Sequence, residues 1–198
     1  SGAVSGIAID ADMSISAWVH MDATDERPLF GEDGTDGNYW IEFTSATVMD
    51  FKGVGGTNPT LALTHNHTIE TGSWQHIFIT RSSNTVTVYV NGLAGSGTGT
   101  WDPAFAPDAV GKIGTTKYFD GRITQLAIWT RALNLPEIQS IYSQGHLFSI
   151  ITNADGGVGV GLDQNLLHYW KLDALTVYND SKGSNHLESE DFHVKETG

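Results

Sequence analysis

The sequence contains no cysteine among its 198 residues. Without thiols, it has neither a disulfide framework nor a metal site built from thiolates. The fold must therefore be held together by an apolar core. A chain of this length is long enough to bury such a core, so we expect residues 1–198 to form one domain, or one domain with an appendage.

Positive charge is also scarce. The sequence has 10 Lys and Arg residues against 23 Asp and Glu residues, for a formal net charge of −13. Proteins that bind nucleic acid concentrate cations on one face to neutralise phosphates, so nucleic acid is excluded as a partner. The excess of carboxylates has two interpretations. It keeps the protein soluble, or some carboxylates hold calcium, a hard cation that takes oxygen ligands.

Long apolar segments are missing, and the sequence has only 5 prolines. No run approaches the roughly 20 apolar residues that cross a bilayer, so we expect no membrane insertion. The chain instead has 23 glycines and many Ser and Thr residues. Short apolar runs separated by such residues are typical of many strands joined by tight turns, which predicts an all-β fold.

Residues 74–92 show the clearest local pattern. An apolar run at 77–79 is followed by a second run at 86–90, in which valines alternate with polar residues. Alternation with period two predicts a strand with one buried face, and the short polar link at 81–85 predicts an antiparallel hairpin. Similar patterns predict further strands at 15–19, 29–30, 39–43, 48–51, 61–63, 112–114 and 122–130. Apolar residues on both faces of the strand at 15–19 predict a central position for it.

One short helix is predicted at about 134–144. Asn134 is suited to cap its N-terminus, and Gly145 is suited to end it. Three apolar residues recur with the helical spacing i, i+3, i+4, so we expect them to pack on the edge of a sheet. They are Ile138, Ile141 and Tyr142.

Four residues are candidates for ligand binding: Trp40, Glu42, Trp101 and Tyr118. In the strand predicted at 39–43, Trp40 and Glu42 share the polar face. An indole ring stacks on the apolar face of a pyranose and a carboxylate binds its hydroxyls, so this pair suits a carbohydrate. The alternative is that a loop covers Trp40. Trp101 lies in a Gly- and Ser-rich segment, where it either caps the edge of the core or faces a ligand.

Acidic residues are concentrated between positions 20 and 37, which we predict to be a loop at one end of the fold. A short strand at 29–30 interrupts it. The spacing of the acids differs from that of an EF-hand, in which ligands alternate along the loop. The segment is therefore either an ordinary solvated loop or a calcium or sugar site of another kind. The candidate calcium ligands are Asp22, Asp25, Asp33 and Asp36.

Four blocks occur in an order and spacing that resemble a known family. They are 14–19 (SISAWV), 74–80 (WQHIFIT), 88–92 (VYVNG) and 119–133 (FDGRITQLAIWTRAL). Together, over about residues 4–142, they resemble the laminin-G-like branch of the concanavalin-A-like lectin/glucanase superfamily. The resemblance implies an all-β jelly-roll sandwich of two antiparallel sheets, with the short helix at about 134–144 attached.

The same resemblance implies a function. Members are often sugar-binding, adhesive or spacer modules of secreted and surface proteins, and many bind calcium. It therefore implies a glycan or protein partner, a place in a larger multidomain or multisubunit assembly, and an extracellular, cell-surface or virion-surface location. One departure weakens the calcium inference, because Thr124 and Gln125 stand where members commonly carry an acidic residue.

Residues 166–187 resemble the segment that normally opens a laminin-G-like domain, but here they come last. One explanation is a permuted chain, or one period cut from a tandem array, in which 166–187 closes the same sandwich and 146–165 connects to it. The other is that 166–187 begins a second domain. The first is favoured, because an isolated half-domain would leave apolar side chains and strand edges exposed.

Catalysis is not predicted. Glycosidases of this superfamily carry acids at alternating positions of one strand, which places acid and nucleophile on one face, and no strand here has that pattern. Two functions remain. One is a non-catalytic carbohydrate-binding or adhesive recognition module. The other is a structural or spacer domain that mediates protein–protein assembly.

Overall fold

The computed structural model describes residues 2–3, 7–34, 37–147, 150, 161–172, 177–178, 182 and 187–188. As the sequence predicts, this part of the chain is a β-sandwich with a single short helix. None of its helices has the length and apolar character of a membrane span.

In chain order, the elements are β1 (Gly2–Ala3), β2 (Met13–Met21), β3 (Arg27–Gly31), β4 (Trp40–Ser45), β5 (Val48–Lys52), β6 (Thr60–Thr64), β7 (Trp74–Ser82), β8 (Thr85–Val90), β9 (Leu93–Thr100), β10 (Ala109–Val110), β11 (Lys112–Ile113), β12 (Lys117–Tyr118), β13 (Gly121–Trp129), α1 (Leu135–Gln144), β14 (Leu166–Trp170), β15 (Val177–Tyr178) and β16 (Leu187–Glu188).

Two six-stranded antiparallel sheets form the sandwich. We call them the front sheet, with the order β1-β10-β3-β4-β5-β6, and the back sheet, with the order β14-β13-β2-β7-β8-β9. Strand β2 lies between β13 and β7, so its predicted central position is confirmed. The core between the sheets contains fully buried rings from the front sheet, including Phe43 and Phe51, and aliphatic residues from the back sheet, including Ile15 and Ile79.

The predicted hairpin at 74–92 is confirmed, with a tighter turn than the sequence indicated. Strands β7 and β8 pair from Ile77 with Val90 to Ser82 with Thr85. Only Ser83 and Asn84 remain in the turn, with φ of 47° and 67°. Two consecutive residues with positive φ match the twist of the two strands, and Asn adopts this conformation more easily than most residues.

Helix α1 begins and ends where the sequence predicts. Asn134 accepts a hydrogen bond from the backbone N–H of Glu137, and the Glu137 side chain accepts one from the backbone N–H of Asn134. This reciprocal capping satisfies N–H groups that the first turn leaves without partners. The helix packs over the outer face of the back sheet, against Phe78 and Ala127, rather than on an edge as predicted.

Strand β9 was not predicted from the sequence. It carries glycine at alternating positions where a strand usually carries apolar residues. A Cβ atom at Gly95, Gly97 or Gly99 would collide with strand β6 or the residue after it, at the carbonyl oxygens of His65 and Thr64 and the side chain of Leu61. Glycine therefore lets the edges of the two sheets approach each other at this end of the sandwich.

The first part of the C-terminal segment pairs with the back sheet. Strand β14 lies antiparallel to β13 at the sheet edge, with Trp170 opposite Leu126, and Trp170 is fully buried in the core. Residues 173–176, 179–181 and 183–186 lie outside the described residues, as does most of 146–165. Closure of the sandwich by the whole segment 166–187 therefore stays a prediction.

Candidate functional site

The polar face of β4 points away from the core, as the alternation in the sequence predicts. Ile41 and Phe43 are fully buried between the sheets, whereas Trp40 is half-buried on the opposite face. Glu42 shares that outer face but is only 5% exposed. The side chain of Lys117 from β12 reaches it, with Lys117 Nζ 3.1 Å from Glu42 Oε2.

Strand pairing adds two further side chains to this face. In the register of β4 with β5, Trp40 lies opposite Lys52 and Glu42 lies opposite Asp50. Residues directly opposite each other have Cβ atoms about 5 Å apart. Residues two positions apart in one strand are separated by about 7 Å. Trp40, Glu42, Asp50 and Lys52 therefore occupy the corners of a small rectangle, which we call the β4–β5 quartet.

The carboxylate of Glu42 is held in place by a charged network. Lys117 Nζ also lies 3.5 Å from Glu26 Oε1, so one ammonium serves two carboxylates. Burial raises the pKa of Glu42 above its usual value, and the hydrogen bond and charge of Lys117 offset this only in part. Burial acts to lower the pKa of Lys117, but Glu42 and Glu26 outweigh it, so the pKa lies above its usual value and the ammonium stays charged.

Asp50 and Lys52 complete the quartet with a second carboxylate and a second cation. Burial raises the pKa of Asp50, and the charge of Lys117 lowers it in part. Lys52 directs its ammonium over the indole of Trp40, with Nζ 4.3 Å from the ring centroid. An ammonium at this distance is attracted by the negative face of the ring. One face of Trp40 is therefore covered by the flexible side chain of Lys52.

Trp101 is a buried core residue, so its interpretation as a ligand-facing residue is corrected. Its side chain is 0% exposed and packs against Phe51 and Phe105, with ring centroids 5.6 and 5.4 Å away. Its Nε1–H donates to the carbonyl oxygen of Pro59 at 3.2 Å. The packing supports the other interpretation of this residue, in which Trp101 caps the edge of the core. The local sequence concealed this because its neighbours are small and polar.

Tyr118 is exposed, but it stands apart from the quartet. It is 45% exposed, and its hydroxyl donates to the carbonyl oxygen of Thr115 at 3.2 Å. Successive residues of a strand point to opposite sides, and Lys117 is the residue of β12 that reaches Glu42. The structure therefore assigns to Lys117 the place at the site that the sequence suggested for Tyr118.

The candidate calcium ligands do not converge. Asp22 and Asp25 precede β3, whereas Asp33 follows it, and five extended residues separate them by roughly 17 Å. Calcium holds its oxygen ligands at roughly 2.4 Å, so one ion cannot bind both groups. Asp33 also forms an ion pair of 2.5 Å with Lys112. Asp36 lies outside the described residues. Among the residues that the structure describes, no group of three His, Cys, Asp or Glu side chains is positioned to hold a metal ion.

A second aromatic surface lies on the outer face of the back sheet. Trp74 stacks on His146, with ring centroids 4.8 Å apart, and meets His20 edge-on at 5.7 Å. The guanidinium of Arg122 lies 5.4 Å from the centre of the Trp74 ring. Trp74 thus resembles Trp40 in carrying a cation over its ring, and it also contacts the imidazoles of His146 and His20.

The quartet offers the groups that recognise a sugar. It has a flat apolar ring, two carboxylates that accept hydrogen bonds from hydroxyls, and two ammonium groups, counting Lys117, that donate them. Sequence reasoning found Trp40 and Glu42 but missed Asp50, Lys52 and Lys117. Alternation within 48–52 already places Asp50 and Lys52 on one face. Only the strand register shows that this face adjoins Trp40.

Comparison with known families gives a clear match. The profile of a laminin-G-like family of the concanavalin A-like lectin/glucanases superfamily matches residues 3–139. A search of curated proteins gives no match.

Several solved structures share the fold. A protein from Bacteroides ovatus, assigned as carbohydrate-binding, is 16% identical with a TM-score of 0.57; the match covers 94% of this chain and 56% of that protein. The chain therefore spans little more than half of that protein's length. Domain 4 of AbnA, an extracellular arabinanase from Geobacillus stearothermophilus solved with arabinotriose, is 25% identical with a TM-score of 0.56; the match covers 70% of this chain and 69% of that domain. A heptameric pentraxin from Limulus polyphemus is 14% identical with a TM-score of 0.54; the match covers 73% of this chain and 74% of that one.

Proposed function

The chain belongs to the concanavalin A-like lectin/glucanases superfamily, and we propose that within it this protein is a non-catalytic carbohydrate-binding module. The observation that carries the proposal is the β4–β5 quartet. It combines a half-buried indole, two carboxylates and a lysine on the outer face of one sheet. A glycan ring stacks on Trp40 while its hydroxyls bond to Glu42, Asp50 and Lys117.

The geometry of the quartet suits binding more than hydrolysis. Glu42 is only 5% exposed and is held by Lys117, so its carboxylate serves as a fixed hydrogen-bond acceptor. Its pairing with Asp50 across two strands also differs from the pattern of the superfamily's glycosidases, which carry their acids two residues apart along one strand. We therefore expect the protein to bind oligosaccharides without releasing reducing sugar from them. Steady release that is lost in Glu42→Gln would make the module an enzyme.

The setting of the module is also part of the proposal. We place it in a larger extracellular or virion-surface protein, where it attaches the assembly to a glycan. Two similarities support this: the Bacteroides protein is nearly twice as long as the matched region, and the Geobacillus enzyme is described as extracellular. A protein that binds no glycan but forms a stable complex with another protein would support a spacer role instead.

Replacing Trp40 with alanine tests the proposed site. We expect about tenfold weaker binding, because the stacked ring supplies both buried area and a specific contact. The measurement is isothermal titration calorimetry, with arabinotriose as the first probe because the Geobacillus domain was solved with it. A glycan panel follows, and the tightest-binding oligosaccharide is carried forward.

Trp74→Ala is the matched control for Trp40→Ala. Trp74 is also half-buried on an outer sheet face with a cation over its ring, but it lies on the back sheet. We expect its removal to change glycan affinity less than about twofold, since it is outside the quartet. Loss of binding in Trp74→Ala but not in Trp40→Ala would move the site to the back sheet.

Among the properties that the family resemblance implies, calcium binding has the least support from the described residues. Asp22 and Asp25 lie at one end of β3 and Asp33 at the other. We therefore expect thermal melting in millimolar calcium and in chelator to agree within about 1 °C, because only a ligand of the folded state raises the melting temperature. A saturable rise with calcium that disappears in Asp22→Asn or Asp33→Asn would restore a calcium site here.

A further inference from the structure

Lys52 occupies the place on Trp40 where a glycan is expected to stack. Its Nζ atom lies 4.3 Å from the centroid of the indole, and its Cα lies directly across the strand pair from that of Trp40. A neutral pyranose that stacks on this face must displace the ammonium and break its attraction to the ring. In the resting protein, this face of the ring is therefore covered by a cation of the chain itself.

The surroundings of the ring favour a cation. Asp50 lies two residues from Lys52 on the same face, and Glu42 lies opposite Asp50. Glu26 lies nearby, since it shares Lys117 with Glu42. Three carboxylates thus face two ammonium groups in this part of the front sheet, and the chain as a whole carries a formal charge of −13. A ligand that brings its own cation meets an attractive field here.

From this arrangement we propose that the quartet selects glycans that carry free amino groups, with the ligand ammonium replacing that of Lys52 over Trp40. The proposal rests on the function proposed above and adds the class of sugar. An amino sugar that displaces Lys52 restores the cation–π contact and gains Asp50 as a partner. An N-acetylated sugar with the same number of rings breaks the contact between Lys52 and Trp40 and brings no cation to replace it.

The experiment compares two trisaccharides that differ only in their amino groups. They are the β-1,4-linked glucosamine trimer and its tri-N-acetylated form, titrated into the whole chain by calorimetry at a pH where the free amines are protonated. We expect the free amine to bind roughly tenfold more tightly, and salt to weaken its binding more than that of the acetylated trimer. Equal affinity of the two trimers would overturn the proposal.

Variants of Lys52 identify the cation that is displaced. In Lys52→Gln the ring is no longer covered, so we expect the acetylated trimer to bind about threefold more tightly than it binds the wild type. Arg122→Gln is the matched control, since it removes a cation from the Trp74 ring on the other sheet. We expect it to leave both affinities unchanged. An unchanged affinity in Lys52→Gln would contradict the displacement step.

Asp50→Asn tests the second partner of the ligand ammonium. The substitution keeps the size of the half-buried side chain and removes its charge, so we expect it to reduce the preference for the free amine to about threefold. Tri-lysine is the competitor that separates a sugar site from a general cation site. Competition by tri-lysine as strong as that of the glucosamine trimer would overturn the assignment to a sugar.

The outcomes also separate this inference from the proposed function. Binding of arabinotriose or the acetylated trimer at Trp40, with no gain from free amines, leaves the carbohydrate-binding module in place and rejects the preference for amino sugars. Absence of binding for every glycan in the panel rejects both. Retention of the tenfold preference in Trp40→Ala would place the cationic ligand away from the quartet and reject the inference.

Discussion

Replacement of Trp101 by alanine is expected to lower the free energy of unfolding by about 3–5 kcal/mol, the usual cost of deleting a buried Trp ring. The ring is fully buried between Phe51 and Phe105, and its Nε1–H donates to the carbonyl oxygen of Pro59. It also lies under Arg81, whose guanidinium carbon is 5.1 Å from the ring centroid. Deleting the ring leaves a cavity and removes the surface on which the Arg81 guanidinium packs.

Chemical denaturation and thermal melting measure this loss. For a chain of this size, it corresponds to a fall in melting temperature of roughly 10 °C. Trp101→Phe keeps most of the ring volume, and we expect it to lose about 1–2 kcal/mol and to fold even if the alanine variant does not. Trp40→Ala is the comparison on the outer face, where the ring is only half-buried and a loss below about 1.5 kcal/mol is expected. A stable Trp101→Ala protein that has lost glycan binding would return Trp101 to the ligand site.

Acidification from pH 7 to pH 5 is expected to destabilise the protein through two buried histidines. Burial lowers the pKa of His76 to about 3. Burial, followed by the charge of His67, lowers the pKa of His65 to about 4. Both side chains are fully buried, and His76 Nδ1 has no hydrogen-bond partner within the described ranges. A proton added at Nδ1 of His76 in the folded state would therefore lack an acceptor.

The direction of the effect follows from proton linkage. Below pH 6.5, the ordinary pKa of histidine, the unfolded chain takes up protons at these positions and the folded chain does not. Stability is therefore full above about pH 6.5 and falls as the pH decreases toward the folded-state pKa. At pH 5, each histidine costs about 2 kcal/mol, since the unfolded-state pKa lies about 1.5 units above that pH.

Urea denaturation at pH 7 and pH 5 checks this expectation for the wild type and for His76→Gln. Carboxylates also contribute to the pH dependence, but they are common to both proteins, so the difference isolates His76. We expect the variant to lose about 2 kcal/mol less on acidification. NMR titration of the folded wild type is an independent check that needs no variant, and the His76 ring is expected to stay neutral down to pH 5. A midpoint near pH 6.5 for that ring would contradict the assignment.

Local sequence patterns predicted most of the strands and the helix. The hairpin at 74–92 has an unbroken alternation, and α1 carries its own capping residues, so neighbouring residues contain the needed information. Strand β9 was missed because its glycines are selected by contact with β6, which is more than 30 residues away. The burial of Trp101 could not be predicted for the same reason, because it depends on packing against Phe51 of β5 and against Phe105.

In the candidate site, too, local patterns predicted some of the residues, and only tertiary contacts brought the others to them. Alternation within 39–43 sufficed to place Trp40 and Glu42 together on a polar face. Their pairing with Lys52 and Asp50 depends on the register of a hairpin whose link, Ala46 and Thr47, lacks the Asn-Gly type of turn signal. The contact of Lys117 with Glu42 spans 75 positions of the chain. Alignment of these groups is a property of packing, and no short segment encodes it.

The sequence by itself therefore determined the all-β class, the polar face of β4 and the absence of thiol chemistry, because composition and period-two alternation act within a few residues. The tertiary structure decided which charged groups surround Trp40, that Trp101 is buried, and that the acidic residues lie at opposite ends of β3. Those outcomes depend on strand register and on the approach of distant elements, which the whole core fixes together.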